Sequence, residues 1–396
     1  MNKQQEPRLR FKGFTEGWKN KTLGDLGRVE MCRRIFKEQT QPSGEIPFFK
    51  IGTFGQEPDA FISSELFEEY RQKYPYPKQG DILISAAGTI GRTVEFTGEN
   101  AYFQDSNIVW LRFDESQITS TFLNITYQNI KWDLEGSTIK RLYNSDLLSA
   151  EITVPSLPEQ THLGLFFSHL DSQIAESRAV LEKSRQLKKA MLAKMFPTNG
   201  EKIPEIRFKG FEGEWEYRKL GEVASSYSGG TPSVGNSKFY GGNIPFIRSG
   251  EIHSSKTELF LTQEGLENSS AKLVKQGDIL YALYGATSGE VERSKINGAI
   301  NQAILAIIPN ENYDAEFISQ WLKNNKENIV NLYLQGGQGN LSGEIVKKIE
   351  ISFPTKKEQT AIGNFFRQLD ETIALQTAEV EKLNQLKKGL LAAMLV

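Results

Sequence analysis

The sequence predicts an α+β fold in which two homologous β-rich domains are separated by two long antiparallel helices, as a pseudo-twofold internal repeat. Three observations support this prediction. The phrase RFKGFTEGW at 10–18 returns as RFKGFEGEW at 207–215. The pentapeptide QGDIL occurs once in each half. Late in each half, EQTHLGLFFSHLDSQI (159–174) is matched by EQTAIGNFFRQLDETI (358–373). A period of about 200 residues is too long for a solenoid and indicates two domain pairs.

Each repeat divides into a β-rich part and a helical part. Short runs such as DILIS, NIVWLRF and EITVP lie between turn signals and predict strands. Gly-poor helical segments follow, and Pro197 ends the first of them. The predicted boundaries are 1–155 for the first β-rich domain, 156–197 for a central helix, 198–203 for a linker, 204–354 for the second β-rich domain and 355–396 for a distal helix.

Both helices are predicted to open with a capping box, Ser156 with Glu159 and Thr355 with Glu358, in which the glutamate reaches back to the N-cap backbone. Apolar residues at heptad-like steps then form a seam along each helix. The seam predicts mutual packing, and the alternative is that each helix packs only on its own domain. The predicted helix–helix contacts are Leu170, Ile174, Leu181, Met191 and Met195 in the first helix, with Leu369, Ile373, Val380, Leu383, Leu390 and Met394 in the second.

The composition is typical of a globular protein, with 38% hydrophobic and 24% charged residues. No apolar run approaches the roughly 20 residues that a membrane span needs. The opening MNKQQEPRLR lacks the apolar core of a signal peptide. The single cysteine, Cys32, excludes an internal disulfide and a thiolate zinc cluster, and with three histidines a histidine metal site is not expected. We therefore predict a cytoplasmic protein without membrane association or metal ion.

The sequence resembles the specificity subunits of type I restriction-modification systems. The resemblance rests on the pattern P…EQ…FF..LD..I…L..LK..L in both halves, on FKGF…W…LG at each domain start, on GGTPS at 229–233 and on QGDIL. It covers essentially the whole chain. It implies two target recognition domains that bind double-stranded DNA, separated by an antiparallel coiled coil. It also implies two methyltransferase subunits and ATP-driven restriction subunits as partners. Those partners would hold S-adenosylmethionine, ATP and magnesium, with no cofactor in this chain.

Catalytic motifs are incomplete in this sequence. GGTPSVGNS is similar to a phosphate loop but has Asn236 where lysine is needed. NIPF departs from the NPPF/Y tetrapeptide of adenine methyltransferases at Ile244. Cys32, beside two arginines, is interpreted as a structural or surface thiol. We predict a non-catalytic part of a type I site-specific deoxyribonuclease and adenine methyltransferase complex. The alternatives are the recognition part of a fused or split restriction-modification enzyme, or a coiled-coil scaffold without DNA recognition.

Candidate DNA contacts lie where basic, hydroxyl, amide and aromatic side chains adjoin glycine. Lys, Arg and hydroxyl groups suit phosphates, whereas Arg, Lys, Asn, Gln and Glu reach base edges. The net charge of −2 gives no overall basic footprint, although a local basic face can coexist with acidic surface elsewhere. The alternative for each residue is a turn held by glycine. The predicted contacts are Lys50, Thr53, Arg71, Lys73, Tyr74, Lys78, Thr89 and Arg92 in the first domain, and Gly230, Thr231, Ser233, Arg248, Ser249, Tyr284, Thr287, Ser288 and Gln338 in the second.

Two further residue pairs hold equivalent places in the repeats. For Gln104 and Gln302, a structural role and a DNA contact both stay open. Lys188 and Lys387, each followed by a second lysine, are interpreted as solvated flanks or as contacts to a partner subunit.

The sequence also predicts the form of the DNA target. Between the framing motifs the two domains share few residues, so we expect an asymmetric, bipartite site. The seam from Leu170 to Met195 spans roughly 38 Å. That length corresponds to about 11 base pairs, so we expect two half-sites centred about one helical turn apart.

Overall fold

The chain forms two compact units in the computed structural model. The structure describes residues 6–132, 141–198, 200–334 and 340–395. Unit 1 comprises Met1–Arg178 and Ala378–Val396, and unit 2 comprises Ala179–Thr377. Each unit therefore contains the first half of one long helix and the second half of the other. The predicted α+β class is confirmed, because each unit combines small, mostly antiparallel sheets with helices.

Unit 1 contains three small sheets. Its strands are β1 (Lys19–Thr22), β2 (Gly27–Glu30), β3 (Ile46–Phe49), β4 (Phe61–Ile62), β5 (Ile82–Ser85), β6 (Thr93–Glu95), β7 (Tyr102–Phe103), β8 (Ile108–Phe113) and β9 (Glu151–Val154). Its helices are α1 (Leu23–Leu26), α2 (Ser64–Lys73), α3 (Ser120–Asn129), α4 (Asn144–Ser149) and the first half of α5 (Leu157–Met195). The strand orders are β2-β8-β5-β6, β4-β3-β7 and β1-β9. Only β3 and β7 pair in parallel among the described strands of this unit.

Unit 2 has the same sheet arrangement, except that its second sheet contains four strands instead of three. Its strands are β10 (Glu216–Lys219), β11 (Ala224–Ser228), β12 (Tyr240–Ile247), β13 (Leu259–Leu261), β14 (Lys272–Val274), β15 (Ile279–Ala282), β16 (Val291–Arg293), β17 (Gly298–Ile300), β18 (Ile304–Pro309) and β19 (Glu350–Phe353). Its helices are α6 (Leu220–Val223), α7 (Gln263–Glu267), α8 (Ala315–Asn324), α9 (Lys326–Leu334), α10 (Gly343–Lys347) and the first half of α11 (Lys356–Met394). The strand orders are β11-β18-β15-β16, β13-β12-β17-β14 and β10-β19.

The strand directions bring four loops of each unit to the same end of its sheets. In unit 1, β2 and β5 both pair antiparallel with β8, so both end where β8 begins. β3 runs parallel to β7, which leads directly into β8, so β3 ends on that side as well. The pairing of β11, β15, β18, β12 and β17 repeats this arrangement in unit 2. We call these segments the strand-end loops: residues 31–36, 50–56, 86–92 and 104–107 in unit 1, and 229–236, 248–258, 283–290 and 301–303 in unit 2.

Each unit is stabilised by its own hydrophobic core. In unit 1, one cluster joins Trp18 and Phe122 to Phe167 of α5 and Met394 of α11, while a second surrounds Trp110. In unit 2, the equivalent main cluster is built around Trp215, Phe317 and Phe366. Burying each such side chain contributes about 1.5–3 kcal/mol. The long helices therefore belong to the cores and fix the frame on which the loops stand.

The long helices run antiparallel within each unit. In unit 1, Leu170 and Ile174 of α5 lie in the same cluster as Leu383 and Leu390 of α11. In unit 2, Met191 and Met195 of α5 pack with Leu369 of α11. Leu181 is also buried, whereas Ile373 and Val380 are half-buried. Seam residues of both long helices thus share a core cluster in each unit, whereas the packing partners of Leu181, Ile373 and Val380 stay a prediction.

Two lysines pair across the helices, which corrects the interpretation of Lys188 and Lys387 as solvated flanks or partner contacts. In unit 2, Lys188 Nζ lies 2.5 Å from an Asp370 carboxylate oxygen. In unit 1, Lys387 pairs with Asp171 and also donates to Gln128 at 2.6 Å. The aspartate of LDSQI or LDETI and the first lysine of QLKK thus form the same intramolecular pair in each unit.

The predicted capping boxes were wrong about the glutamates. Both carboxylate oxygens of Glu159 accept from Arg10, at 2.7 and 2.8 Å, and both oxygens of Glu358 accept from Arg207, at 2.7 Å each. The guanidinium fork matches a carboxylate in bidentate geometry, so it competes effectively with a single N-cap N–H group. The first residue of the repeated RFKGF phrase therefore binds the first residue of the EQ motif in its own unit.

The glutamine of the EQ motif fixes a second helix. Gln160 Oε1 accepts from the backbone N–H of Thr119, which is the N-cap of α3, at 2.9 Å. In unit 2, Gln359 Oε1 accepts from the backbone N–H of Asp314, the N-cap of α8, also at 2.9 Å. Both glutamines are buried, so these hydrogen bonds satisfy polar groups that water does not reach.

Candidate nucleic-acid interface

In unit 1, the strand-end loop 50–56 is a turn closed by its own side chains. Thr53 Oγ1 accepts from Lys50 N–H at 3.1 Å, and the Thr53 N–H donates to Lys50 O at 3.0 Å. Gln104 Oε1 accepts from Ile51 N–H at 2.9 Å. The Lys50 ammonium lies 2.8 Å from an Asp59 carboxylate oxygen. Gln104 therefore has a structural role, and Lys50 and Thr53 are held at the rim of the same loop.

The strand-end loop 86–92 lies beside that turn. Arg92 Nη2 donates to Gly55 O at 3.2 Å, which links the two loops. Ser85 Oγ accepts from Arg92 N–H at 2.9 Å and donates to Thr89 O. Thr89 is exposed and Arg92 half-buried. The structure thus brings together four of the predicted contacts, Lys50, Thr53, Thr89 and Arg92.

The end of α2 carries three other predicted contacts. The Arg71 guanidinium lies over the rings of Phe67 and Tyr76, at 5.7 and 5.5 Å from their centroids. Lys73 Nζ is 2.9 Å from Glu69, which raises the pKa of Lys73 through that hydrogen bond. Tyr74 is 37% exposed and leaves part of its ring accessible. Arg71, Lys73 and Tyr74 thus lie on one short stretch with both charge and an aromatic face.

Two arginines that the sequence analysis did not propose lie beside Tyr74. Arg33 stands over the Tyr74 ring at 5.4 Å, and Arg34 Nε lies 3.0 Å from Asp105. They line a hollow of about 540 Å³ together with exposed Phe36. The sequence signal for these two residues is a pair of consecutive arginines directly after Cys32. Cys32 itself is buried, and burial raises the pKa of its thiol to about 12, in agreement with a structural role.

A turn under backbone constraint completes this end of unit 1. Ser106 has a φ of 60°, a region that residues other than glycine adopt at a cost. Arg141 Nη2 donates to Ser106 O at 3.0 Å and holds the turn from the far side. Neither residue stood out in the sequence, because no motif surrounds them.

Lys78 is not brought to this surface. It precedes β5, whereas Thr89 and Arg92 follow that strand, so Lys78 lies at the opposite end of the sheet. Its backbone N–H donates to the Asp81 carboxylate at 2.7 Å in a turn next to the N-terminus of α3. Lys78 is therefore separated by the length of β5 from Thr89 and Arg92.

In unit 2, Gly230 allows the backbone of the loop after β11 to lie close to Ser270. A Cβ on Gly230 would lie 2.5 Å from the Ser270 Cβ, and Gly230 is buried. The next residue, Thr231, is exposed and donates to Gln302 Oε1 at 2.5 Å. Ser233 is exposed on the same loop. Gly230 thus serves packing, while Thr231, Ser233 and Gln302 present polar groups at the strand ends.

Arg248 is tied into an acidic cluster. Its guanidinium donates to both oxygens of Glu251 at 3.0 Å and to Glu258 at 2.5 Å. Burial alone would raise the pKa of Glu251, but Arg248 and the backbone N–H groups of Glu258 and Arg248 outweigh it and lower that pKa to about 2. Ser249 follows in a single helical turn over Ser249–Glu251. The loop after β12 is therefore shaped by this cluster.

The loop after β15 carries the remaining predicted contacts of the second domain. Tyr284 is half-buried against the main core, and Ser288 Oγ donates to Leu283 O at 3.2 Å. Thr287 is half-buried, and its carbonyl accepts from the Glu290 N–H at 2.9 Å. Gln338 lies outside the described residues. The structure thus collects Thr231, Ser233, Arg248, Ser249, Tyr284, Thr287 and Ser288 at one end of unit 2.

The strand-end loops suit a polyanion whose phosphates would replace the carboxylates that now pair with the cations. Cations at the strand ends are paired with nearby carboxylates, as in Lys50–Asp59, Arg34–Asp105 and Arg248–Glu251. The Lys50–Asp59 pair is exposed on both sides, and exposed ion pairs contribute only about 0–1 kcal/mol, so a phosphate can displace it at low cost. Hydroxyl and amide groups between the cations are the types that recognise phosphate oxygens and base edges.

The described parts of the chain contain neither a candidate membrane span nor a candidate metal-ion cluster. No helix among these residues is long and apolar enough to cross a membrane. Within the same ranges, no three or more His, Cys, Asp or Glu side chains form a group that could hold a metal ion.

Comparison with known proteins assigns both repeats to one family model, that of the type I restriction modification DNA specificity domain, which matches residues 15–183 and 212–385. A putative type I restriction enzyme specificity subunit of Haemophilus influenzae is 62% identical over 139 residues, which cover 35% of this chain and 36% of that protein. A second putative specificity subunit, from Methanocaldococcus jannaschii, is 24% identical over 404 residues, covering 96% of this chain and 93% of the relative.

The fold is also similar to a solved structure. The crystal structure of a type I restriction-modification S subunit from M. genitalium superposes with a TM-score of 0.69 at 16% sequence identity, covering 99% of both chains. At this identity the likeness concerns the fold alone.

Proposed function

Because this chain belongs to the family of type I restriction-modification DNA specificity proteins, we propose that it recognises a bipartite DNA sequence on behalf of partner subunits that modify and cleave DNA. The observation that carries the proposal is the convergence, in each unit, of four strand-end loops that hold cations, hydroxyls and amides. Six or more such groups at one end of a rigid sheet frame suit simultaneous contact with phosphates and base edges.

The two units would recognise different half-sites. In unit 1 the loop after β2 presents Arg33 and Arg34, whereas the loop after β11 in unit 2 has Gly230 and Thr231 at the corresponding place. Arginine donates to guanine in bidentate geometry, while a threonine hydroxyl is a less selective partner. The target is therefore asymmetric, with half-sites of roughly 3 to 5 base pairs and an unspecified spacer.

The division of roles follows from side-chain type and from the hydrogen bonds that hold each side chain. Arg33 and Tyr74 present a charge and a ring beside an open hollow, which suits a base edge or sugar. Lys50 and Thr53 stand on a turn fixed by Gln104, which suits a phosphate because the backbone there is held in place. In unit 2, Thr231 and Gln302 form a coupled hydroxyl–amide pair that can serve an adenine edge.

Catalysis belongs to the partners in this proposal. Two methyltransferase subunits would supply S-adenosylmethionine chemistry, and restriction subunits would use ATP and magnesium to cleave. The chain itself would be non-catalytic, in keeping with its incomplete phosphate-loop and methyltransferase motifs. A single cysteine that is buried and poorly ionised supports a place in the reducing cytoplasm.

The experiment is to map methylated adenines across a genome in cells that express the chain with its cognate methyltransferase subunits. We expect one motif with two different halves and a fixed spacer. The purified chain with S-adenosylmethionine alone should transfer no methyl groups. A palindromic motif would contradict the proposed asymmetry, and methylation by the chain alone would contradict the division of roles.

A further inference from the structure

His253 joins two strand-end loops of unit 2. It belongs to the loop 248–258, and its ring nitrogen Nδ1 lies 3.2 Å from a carboxylate oxygen of Glu292 in β16. The other ring nitrogen, Nε2, lies 3.3 Å from a carboxylate oxygen of Glu290, the last residue of the loop 283–290. The His253 side chain is 49% exposed, so protons of the solvent reach the imidazole.

Two lysines bind the same carboxylates. Lys323 Nζ, in α8, lies 2.9 Å from Oε1 of Glu292. Lys326 Nζ, at the start of α9, pairs with Oε1 of Glu290. His253 faces Oε2 of each carboxylate. Each glutamate therefore binds a lysine with one oxygen and turns the second oxygen toward the imidazole.

The contact of both ring nitrogens with carboxylates requires a doubly protonated imidazole. A neutral imidazole has one N–H group, and its second nitrogen would present a lone pair to a negatively charged oxygen. The hydrogen bond with Glu292 raises the pKa of His253, against partial burial and the charge of Lys323, and the charges of Glu292 and Glu290 add to this rise. On the backbone side, Lys295 Nζ donates to the His253 carbonyl oxygen at 2.7 Å. The geometry thus fits the imidazolium.

The two glutamates stay ionised in this arrangement. Burial alone would raise the pKa of Glu292, but the hydrogen bond from His253 and the charge of Lys323 outweigh it and lower that pKa to about 2. The hydrogen bond from Lys326 lowers the pKa of Glu290, and burial opposes it. The imidazole is therefore the member of this cluster whose charge changes near neutral pH.

The base of the loop 248–258 is fixed without His253. Arg248 pairs with Glu251 at 3.0 Å and with Glu258 at 2.5 Å, which closes the loop on itself. Ile252 is buried in a core cluster of unit 2. The tip, residues 254–256, is exposed and consists of two serines and a lysine. Loss of the imidazole contact would therefore release the tip and leave the fold of the unit intact.

Unit 1 has a link at the corresponding place. Leu83 of QGDIL pairs with Val94 of β6, and in unit 2 the leucine of the same pentapeptide pairs with Glu292 of β16. Val94 and Glu292 therefore occupy equivalent positions. Two residues before them stand Arg92 and Glu290, which correspond for the same reason.

The links in the two units differ in their response to pH. Arg92 Nη2 donates to Gly55 O at 3.2 Å and ties the loop 86–92 to the loop 50–56. A guanidinium keeps its charge over the whole physiological range, whereas an imidazole does not. In unit 2 the residue at the Arg92 position is an acid, and the cation is His253 on the other loop. Unit 1 thus has a permanent link between its two loops, and unit 2 has one that depends on a proton.

We propose that protonated His253 positions the tip of the loop 248–258 for DNA recognition, and that recognition of one half-site, but not of the other, therefore weakens in alkali. This inference rests on the proposed function, because both linked loops are strand-end loops. His253 would hold the loop, and the tip would make the contacts. Since the pKa of His253 is higher in the folded state, its stabilising contribution is complete below the unfolded pKa of about 6.5 and is lost as the pH rises through the folded pKa.

The first test measures discrimination by the assembled methyltransferase complex at about pH 6 and about pH 9, on either side of the imidazole titration. Discrimination is the ratio of the affinities for the mapped target and for a duplex with one substituted base pair in either half-site, at constant salt. From the lower to the higher pH, we expect this ratio to fall by about fivefold or more for one half-site and to stay unchanged for the other.

Variants of His253 assign the effect to this residue. His253→Gln removes the charge, so discrimination in the affected half-site should be low at both pH values. His253→Arg keeps a cation throughout, so discrimination should stay high in alkali. His169→Gln is the matched control, because His169 is an exposed histidine on α5 in unit 1, and it should keep the wild-type response.

The outcomes separate this inference from the proposed function. Equal responses of the wild-type and H253Q complexes to pH, or a loss in H253R as large as that in H253Q, would overturn this inference and leave the proposed function standing. Absence of discrimination in both half-sites at both pH values would overturn the proposed function and this inference together.

The second test needs no DNA. The imidazole signals of the three histidines are titrated by NMR in the full chain labelled at histidine, and H253Q identifies the signal of His253. We expect His253 to titrate above about 6.5, and Glu290→Gln to lower its pKa because one facing carboxylate loses its charge. Glu216→Gln, in an exposed pair with Arg218, is the control and should leave the His253 pKa unchanged. Titration of His253 at or below its ordinary value, or no response to E290Q, would contradict the proposal.

Discussion

Arg10 and Glu159 form a bidentate ion pair at 2.7 and 2.8 Å, with the Glu159 side chain 1% exposed. Arg207 and Glu358 repeat this relationship in unit 2. In both units the arginine also donates to backbone carbonyls of the loop that follows it: Glu16 in unit 1, and Glu212 and Gly213 in unit 2. The repeated RFKGF phrase is thus explained as an anchor that attaches the start of each unit to its long helix.

Removing this anchor should strongly destabilise unit 1. Arg10→Ala leaves the Glu159 carboxylate buried without its partner, which costs about 3–5 kcal/mol of unfolding free energy. Denaturant unfolding of the variant measures this loss. Arg218→Ala serves as the control, because Arg218 pairs with Glu216 on the surface and should change stability by less than about 1 kcal/mol.

A double variant distinguishes the cost of an unpaired buried carboxylate from the contribution of the ion pair itself. Arg10→Met with Glu159→Leu removes both charges and should recover much of the lost stability, since apolar replacements of a buried pair are often neutral. If Arg10→Ala unfolded at the same denaturant concentration as the wild-type protein, the pair would not hold the unit together.

The second prediction concerns DNA affinity. Arg33→Ala combined with Arg34→Ala removes two cations from the strand-end loops of unit 1, and should lower affinity for the target by about 1–3 kcal/mol per lost base contact. If one of them contacts a phosphate, the slope of log K against log salt should fall by about one. Fluorescence anisotropy of the assembled methyltransferase complex on a labelled duplex measures both quantities.

Lys78→Ala is the matched control for this pair. Lys78 is an exposed cation of the same unit, but it lies at the opposite end of β5. Its removal should leave affinity and salt slope unchanged. Equal losses from the Lys78 and arginine variants would indicate that DNA does not lie at the strand-end loops.

The third prediction is a pH dependence of stability that arises at Glu251. The pKa of this carboxyl falls from 4.5 to about 2 on folding. A carboxyl whose pKa is lower in the folded state stabilises the protein fully above its unfolded pKa, and this stability is lost as the pH falls through the folded pKa. Wild-type unfolding free energy should therefore decrease between about pH 4.5 and pH 2, measured by chemical denaturation.

Glu251→Gln removes the titrating group while keeping its size. The variant should be less stable at pH 7, because Arg248 loses one of its two charged partners, and its stability should depend less on pH in the acid range. Arg367→Ala provides a control with an exposed pair to Glu371 on α11, and it should retain the wild-type acid dependence. An unchanged slope in Glu251→Gln would place the acid sensitivity elsewhere.

The fourth prediction tests the long helices as the spacer of the bipartite target. Deleting one heptad from each, Ala175–Leu181 and Ala374–Val380, keeps the apolar seam in phase and shortens each helix by about 10 Å. Methylation mapping should show the same half-sites with a spacer shorter by about one to three base pairs. A folded variant that kept its original spacer, or that recognised other bases, would exclude the helices as the spacer.

The sequence predicted the features that depend on short periodic patterns and on motifs present in both halves. Helical periodicity and the EQ motif located both long helices, and the heptad positions of Leu170, Ile174 and Leu390 indicated which faces pack. The partner of Glu159 could not be predicted in this way. A serine three residues before a glutamate favours a capping box on local grounds, whereas the partner that wins, Arg10, is 149 residues away.

The candidate interface was predictable by residue type but not by position. Glycine next to hydroxyl and basic residues correctly indicated turns such as Lys50–Thr53. Strand direction decides which turns share an end of the sheet, and pairing partners cannot be deduced from one sequence. The sequence therefore predicted Lys78 together with Arg92, although they lie at opposite ends of β5, and its residue pattern did not single out Arg33.

The division of the chain between the units has a consequence for biosynthesis. The core of unit 1 contains Leu391 and Met394 of α11 together with Trp18, whereas unit 2 is formed by Ala179–Thr377 alone. A ribosome translates the first residues of unit 1 before any of unit 2, and domains generally fold as they emerge. Unit 1 would then be translated first and completed last, and its exposed apolar surface would await the end of α11 while unit 2 folds.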